Sequence, residues 1–243
     1  MPANAGESRT GATPPADAPS STRSDIDAFL ARAKATAPAT GGARGRLIFA
    51  LDATMSRQPT WDKASHIQGE MFAEAAAVGG LNMQLVYFRG FGECRASKWL
   101  SDGARLGDIM SRIDCRAGRT QISKVLARAL EETRKSPVQA LVYVGDAMEE
   151  NIDLLGERAG QLGMLRVPIF IFQERRDPAA TRAFAEMARL SKGAHLTLDG
   201  ASGAELARLL KAVAVYAAGG VKALSDRSAK GDGGARLLLE KLS

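Results

Sequence analysis

Cysteine, histidine and aromatic residues are scarce in this chain. Its 243 residues include two cysteines and two histidines, and aromatics make up 5%. The cysteines, Cys94 and Cys115, are too few for a disulfide scaffold and lack the C-x-x-C spacing of a zinc or redox motif. They are read as free thiols of a reducing compartment, with a pair between them the other option. No basic run is interleaved with stacking aromatics, so the charge is a weak argument for nucleic acid. No run approaches the roughly 18 apolar residues that a membrane span needs. The opening MPANAGESRTGATPP has neither the basic start nor the apolar stretch of a secretory signal. The expectation from these absences is a cytoplasmic protein that binds neither nucleic acid nor membrane.

The net charge is +6, with apolar residues at 45%, enough for a real core. Residues 1–43 contribute zero, residues 217–243 contribute +2, and the remaining +4 is spread among interspersed acids and bases. Such a surface is a mixed, solvated one. Residues 1–43 are rich in Ala, Ser, Thr, Pro and Gly, cannot bury enough surface to offset the entropy of ordering, and read as a disordered tail. A short helix over Asp25–Lys34 is the one exception. Residues 44–216 read as the folded domain. Residues 217–243 stay undecided, because VKALSDRSAK and ARLLLEKL show no period that separates helix from strand.

Within the domain the pattern alternates. RLIFALD is a short continuous apolar run, as in a strand buried on both faces. Trp61 to Val78 carry a helical stripe stopped by Gly79–Gly80. LNMQLVYF reads as a second strand. ECRASKWL, reached by a connection too short for a crossover, reads as an antiparallel edge strand. A helix over Ile122–Leu130, the strand ALVYVGD, a helix over Leu154–Leu162, the strand VPIFIF, a helix begun at Asp177–Pro178, the strand AHLTLD and a helix over Leu206–Val213 complete the series. Strands alternating with helices predict a doubly wound α/β fold: a mostly parallel six-stranded sheet with one antiparallel edge strand and helices on both faces.

In open α/β sheets, ligands bind beyond the carboxyl ends of the strands, where strand order reverses. The first strand ends in Asp52-Ala53-Thr54-Met55-Ser56, three oxygen-bearing side chains at alternate positions, which share one side of an extended backbone. One carboxylate with two hydroxyls suits magnesium and not zinc or copper. ALVYVGD ends in Asp146, and Gly118-Arg119-Thr120-Gln121 opens a helix with a hydroxyl. Each piece alone has a structural explanation: turn hydrogen bonds for Thr54 and Ser56, an N-cap for Thr120, a turn acid for Asp146. All of them sit at one sheet edge.

D-x-T-x-S after the first strand, G-R-T before a helix and V-G-D after the next strand together resemble the metal-ion-dependent adhesion site of von Willebrand factor A domains. The resemblance spans Arg46 to Tyr216 and points to a bacterial-type, cytoplasmic member. It implies that Thr54 and Ser56 bind the metal through their hydroxyls and that Thr120 binds directly or through water. Asp52 and Asp146 would hold coordinating waters. The metal would be Mg2+, with Mn2+ or Ca2+ as other hard cations, and one position would stay open for an Asp or Glu of a partner protein. The implied function is a non-enzymatic binding module, with AAA-type ATPases, chaperone-like proteins or assembly factors as partners. The alternatives are a metal-independent scaffold and, further off, a metal-assisted phosphoester hydrolase, which needs a base or second metal near Ser56.

Arg57 and Arg119 flank the motif; they either reinforce an acidic ligand or, the favoured reading, are ordinary surface cations. Glu149 and Glu150 are expected to begin the following helix, with a water-mediated metal contact the other option. Other chemistries find no support. Thr54 stands where an aspartyl-phosphate phosphatase needs a second Asp, there is no P-loop, and GGARGR precedes its strand instead of following it. His66 and His195 are isolated and read as structural, without G-x-S-x-G support for a triad. Met71, Met83, Met110 and Met148 read as core or loop filler.

Overall fold

The computed structural model describes residues 45–58, 61 and 81–198, with positions 24, 213, 214, 217, 225, 226 and 229. Nearly all of the expected tail over 1–43, of the expected helices over 61–78 and 206–213 and of the 217–243 extension, with His66 and Met71, lies outside the described residues.

Six strands form one sheet: β1 (Gly45–Asp52), β2 (Leu81–Arg89), β3 (Glu93–Ala96), β4 (Ala140–Gly145), β5 (Ile169–Glu174) and β6 (Ala194–Leu198). Their order is β3-β2-β1-β4-β5-β6. All pairs are parallel except β2–β3, which is antiparallel. The order reverses between β1 and β4, so the loops leaving these two strands diverge and open a crevice at their carboxyl ends.

The alternation along β1 explains the layers. Leu47, Phe49 and Leu51 face one side, with Leu106, Met110, Trp61, Val213 and Ala217; Ile48 and Ala50 face the other, with Val125, Leu155 and Phe184. One face therefore carries α1 (Gly103–Met110), and the other carries α2 (Ile122–Lys135), α3 (Ile152–Met164) and α4 (Pro178–Leu190). Burial on both faces is why β1, β4 and β5 read as unbroken apolar runs.

Two elements differ from the sequence reading. β3 stops at Ala96, because the Ser97 hydroxyl takes the Leu85 N–H at 3.0 Å and breaks the ladder. The chain rejoins only as a bridge at Leu100, which exchanges two hydrogen bonds with Met83. The helix α1 is not marked by the periodicity of the sequence. It is eight residues long, with glycine at Gly103 and Gly107 diluting its signal, and is started by Asp102, whose carboxylate accepts from Ala104 N at 2.9 Å.

Candidate functional site

β1 delivers Asp52 fully buried, and Oδ1 accepts from Thr54 N at 2.7 Å, folding the backbone back over the strand end. The chain then makes a 3-10 turn over Met55–Arg57, which brings the two hydroxyls side by side. Thr54 Oγ1 lies 3.0 Å from Ser56 Oγ, and Ser56 Oγ donates to Asp146 Oδ1 at 3.0 Å. Asp146 comes from the end of β4, whose Val144 is in register with Leu51. Thus four of the five expected residues are joined in one hydrogen-bonded line. Asp52, Thr54 and Asp146 are buried, and Ser56 is exposed, so the line opens to solvent at its middle.

Asp52 Oδ2 is buried without a hydrogen-bond partner. Burial raises the carboxyl to a pKa of about 6; the Thr54 hydrogen bonds and Arg57 oppose the rise, and Asp146 adds to it. An orphaned buried carboxylate oxygen is costly unless a proton or cation meets it. Cys115, its thiol pushed up to about 11 by burial, feels the same carboxylates. Cys94 and Cys115 are both free thiols.

Thr120 stands apart from the other four. Its N–H and hydroxyl donate to Glu149 Oε2 at 2.9 and 3.2 Å, and its Oγ1 accepts from Glu149 N at 3.2 Å. Among the described residues no hydrogen bond links it to Asp52, Thr54, Ser56 or Asp146. Neither is it the N-cap of α2, which is Gln121 without a side-chain cap bond. The first turn of α2 is capped instead by Glu150, which accepts from Ile122 N and from Ser123 N, the latter at 2.9 Å. This corrects the expectation that Glu149 and Glu150 begin the next helix. That helix, α3, is capped by Asn151, and the two glutamates reach back to the positive end of α2. No local signal reveals this, since donor and acceptor are 27 to 29 residues apart.

Gly118 holds the Thr120 loop in place. A Cβ there would meet Gly90 O at 2.0 Å, so only glycine lets the loop lie on the β2–β3 turn. Arg119 N donates to that same Gly90 oxygen at 3.2 Å, and Arg119 is exposed.

Arg57 is not a surface cation. It is fully buried, with Nε and Nη2 on the two oxygens of Glu174 at 3.2 and 2.9 Å and Nη1 on the Asp52 carbonyl at 2.7 Å. Burial works against its charge, but Glu174 outweighs it, so the guanidinium pKa is raised. Sequence reasoning also missed Arg175. This residue follows β5 in the left-handed conformation (φ 65°) and donates to Ser56 O at 2.8 Å and Asp146 Oδ2 at 3.4 Å. The strand-end rule that located Asp52 applies equally to β5 and is the signal that points to it.

The donors that converge here are carboxylate and hydroxyl oxygens, which fit a hard divalent cation, and the orphaned Asp52 Oδ2 is an oxygen such an ion would satisfy directly or through water. Among the described residues no three His, Cys, Asp or Glu side chains cluster, so an ion at this position would depend on the hydroxyls.

No protein-family model matches the chain, and no curated protein matches it in sequence. Solved structures do match. An aerotolerance-related membrane protein from Bacteroides fragilis, bearing multiple mutations to serine, is 15% identical, with 68% of this chain and 98% of that one covered and a TM-score of 0.54. A von Willebrand factor type A protein from Catenulispora acidiphila is 16% identical, with 72% of this chain and 43% of that one covered and a TM-score of 0.56. The VWA domain of SpRpn10 is 12% identical, with 70% of this chain and 94% of that one covered and a TM-score of 0.53. At these identities the likeness is one of architecture: this chain has the von Willebrand factor A fold.

Proposed function

We propose that this chain is a non-enzymatic, cytoplasmic protein-binding module that docks an acidic side chain of a partner through a divalent cation, Mg2+ before Mn2+ or Ca2+. The observation that carries the reading is Asp52 Oδ2, buried and unpartnered beside the Thr54–Ser56–Asp146 line. In this reading Thr54 and Ser56 hold the ion through their hydroxyls, and Asp52 and Asp146 hold its waters and balance its charge. Thr120 joins directly or through water, after turning from Glu149. The bound ion supplies one open position that a carboxylate fills. Indirect contact by both acids leaves it attractive to an outside anion. The fold shared with a protein described as a von Willebrand factor type A protein supports looking for a protein partner, with AAA-type ATPases, chaperone-like proteins and assembly factors first in line.

One observation favours the metal-independent scaffold instead. Asp146 is already served by Ser56 and Arg175, so part of the site is satisfied by the chain's own groups. Affinity capture on the full chain, with magnesium and with a chelator, separates the two. Partners that leave on chelation, and are not captured by Asp52→Ala, support docking through the ion; partners retained under both conditions support the scaffold.

A further inference from the structure

Away from the strand-end site, β2, β3 and α1 enclose a groove of about 670 Å3. Its floor is apolar: Leu85 and Tyr87 from β2, Leu100 from the bridge after β3, and Ile109 from α1. Its rim is cationic. Among the described residues, Arg95, Lys98, Arg105 and Arg112 line it with a single acid, Asp108. Among the described residues, Lys98, Arg105 and Arg112 have no ion-pair partner, and Arg95 meets only Glu93 at 3.2 Å while 70% of its side chain is exposed.

The placement of these cations follows from local structure. Arg105, Ile109 and Arg112 are spaced i, i+4, i+7, which sets two arginines and an apolar side chain along one side of α1 and the turn that follows it. Arg95 is in register with Tyr87, so both share the sheet face that α1 covers. Arg105 stands in the first turn of α1, with no acid there, where the helix dipole disfavours a positive charge. The Asp102 carboxylate at this end accepts from the Ala104 and Arg105 N–H groups and forms no ion pair with the Arg105 guanidinium, which is left for the groove.

The spacing selects the ligand. Arg105 and Arg112 are seven positions apart, the last two in the turn that follows α1, a backbone separation of about 10 Å at a helical rise. The two arginines are thus rooted at different points along the groove, with Ile109 between them in sequence. About three residues of extended chain cover the same distance, so carboxylates at the two ends of a short acidic stretch meet both arginines, with an apolar side chain between them on the floor. Among the described residues Tyr87 is the one aromatic ring in the lining, too few for successive nucleobases to stack. We infer that this groove is a second docking surface, which takes an extended acidic segment of a partner protein carrying an apolar residue between its acids.

The test is selection of a random dodecapeptide library displayed on phage against the full chain, followed by titration of the enriched peptides. Enriched peptides should carry two or more Asp or Glu about an apolar residue. Their affinity should fall roughly tenfold or more in Arg105→Glu/Arg112→Glu, and stay unchanged in Asp52→Ala and in chelator. An Arg105→Ala/Arg112→Ala variant with an unaltered melting temperature guards against misfolding and should show an intermediate loss. The inference is overturned if no acidic peptide is enriched, if affinity survives charge reversal, or if a single-stranded oligonucleotide binds the groove more tightly than the peptides. Peptides lost in Asp52→Ala or chelator also overturn it, since they would be bound at the strand-end site; failure of the metal reading leaves the groove prediction standing.

Discussion

Ser56 Oγ donates to Asp146 Oδ1 at 3.0 Å while lying 3.0 Å from Thr54 Oγ1, so one exposed hydroxyl joins the ends of two strands that are 90 residues apart in sequence. Its position gives it little weight in holding the fold and much in holding a cation. Ser56→Ala should cost at most about 1 kcal/mol of stability in metal-free buffer yet remove the rise in melting temperature produced by magnesium. Thermal melts of both proteins, with and without the ion, check this. An intact magnesium response in Ser56→Ala would count against a hydroxyl ligand here.

Arg57 and Glu174 form a buried two-pronged pair directly under the Asp52 carbonyl. Removing Glu174 takes the two-pronged carboxylate from a fully buried guanidinium, which costs about 3–5 kcal/mol. Glu174→Ala should therefore shift the urea midpoint strongly downward. Arg57→Lys should fail to restore stability, because an ammonium cannot span both carboxylate oxygens and the backbone carbonyl together. A loss below about 1 kcal/mol in Glu174→Ala would mean that the pair is not the prop it is taken to be.

Arg175 presents a cation of the chain itself to Asp146 Oδ2. If a divalent ion uses Asp146, the two positive charges repel. Arg175→Ala should then respond to several-fold less magnesium than the parent protein, as read by isothermal calorimetry. An unchanged or higher midpoint would show that Arg175 helps the ion or ignores it.

His195 lies on β6, with Nε2 2.9 Å from Gln173 Oε1 and the Phe184 ring against it. Burial lowers its pKa from 6.5 to about 4. Between these values the unfolded chain binds the extra proton and the folded one does not, so stability present above about pH 6.5 is lost as pH falls towards 4, on the order of 3 kcal/mol in full. Urea titrations at pH 7 and pH 4.5 should show this loss in the parent and a smaller one in His195→Gln. Equal losses would place the acid sensitivity elsewhere.

The parts legible in the sequence are those written in local pattern. Continuous apolar runs marked β1, β4 and β5, and the short link before Glu93 marked an antiparallel strand. The strand-end rule picked out Asp52, Thr54, Ser56 and Asp146, which the fold brings together. What stayed hidden depends on contacts between distant segments. Arg57 sits in a polar stretch that looks like surface, and its partner Glu174 is 117 residues on. Glu149 and Glu150 belong by sequence to α3 but by contact to Thr120 and α2. Glycine blurred α1.

The reading rests on whether a divalent ion binds at Asp52. The most direct measurement is the melting temperature of the full chain titrated with magnesium, beside Asp52→Ala. The account predicts a saturable rise at millimolar or lower magnesium in the parent and none in Asp52→Ala. Identical melting temperatures with and without the ion in the parent, or an equal rise in the variant, would contradict it.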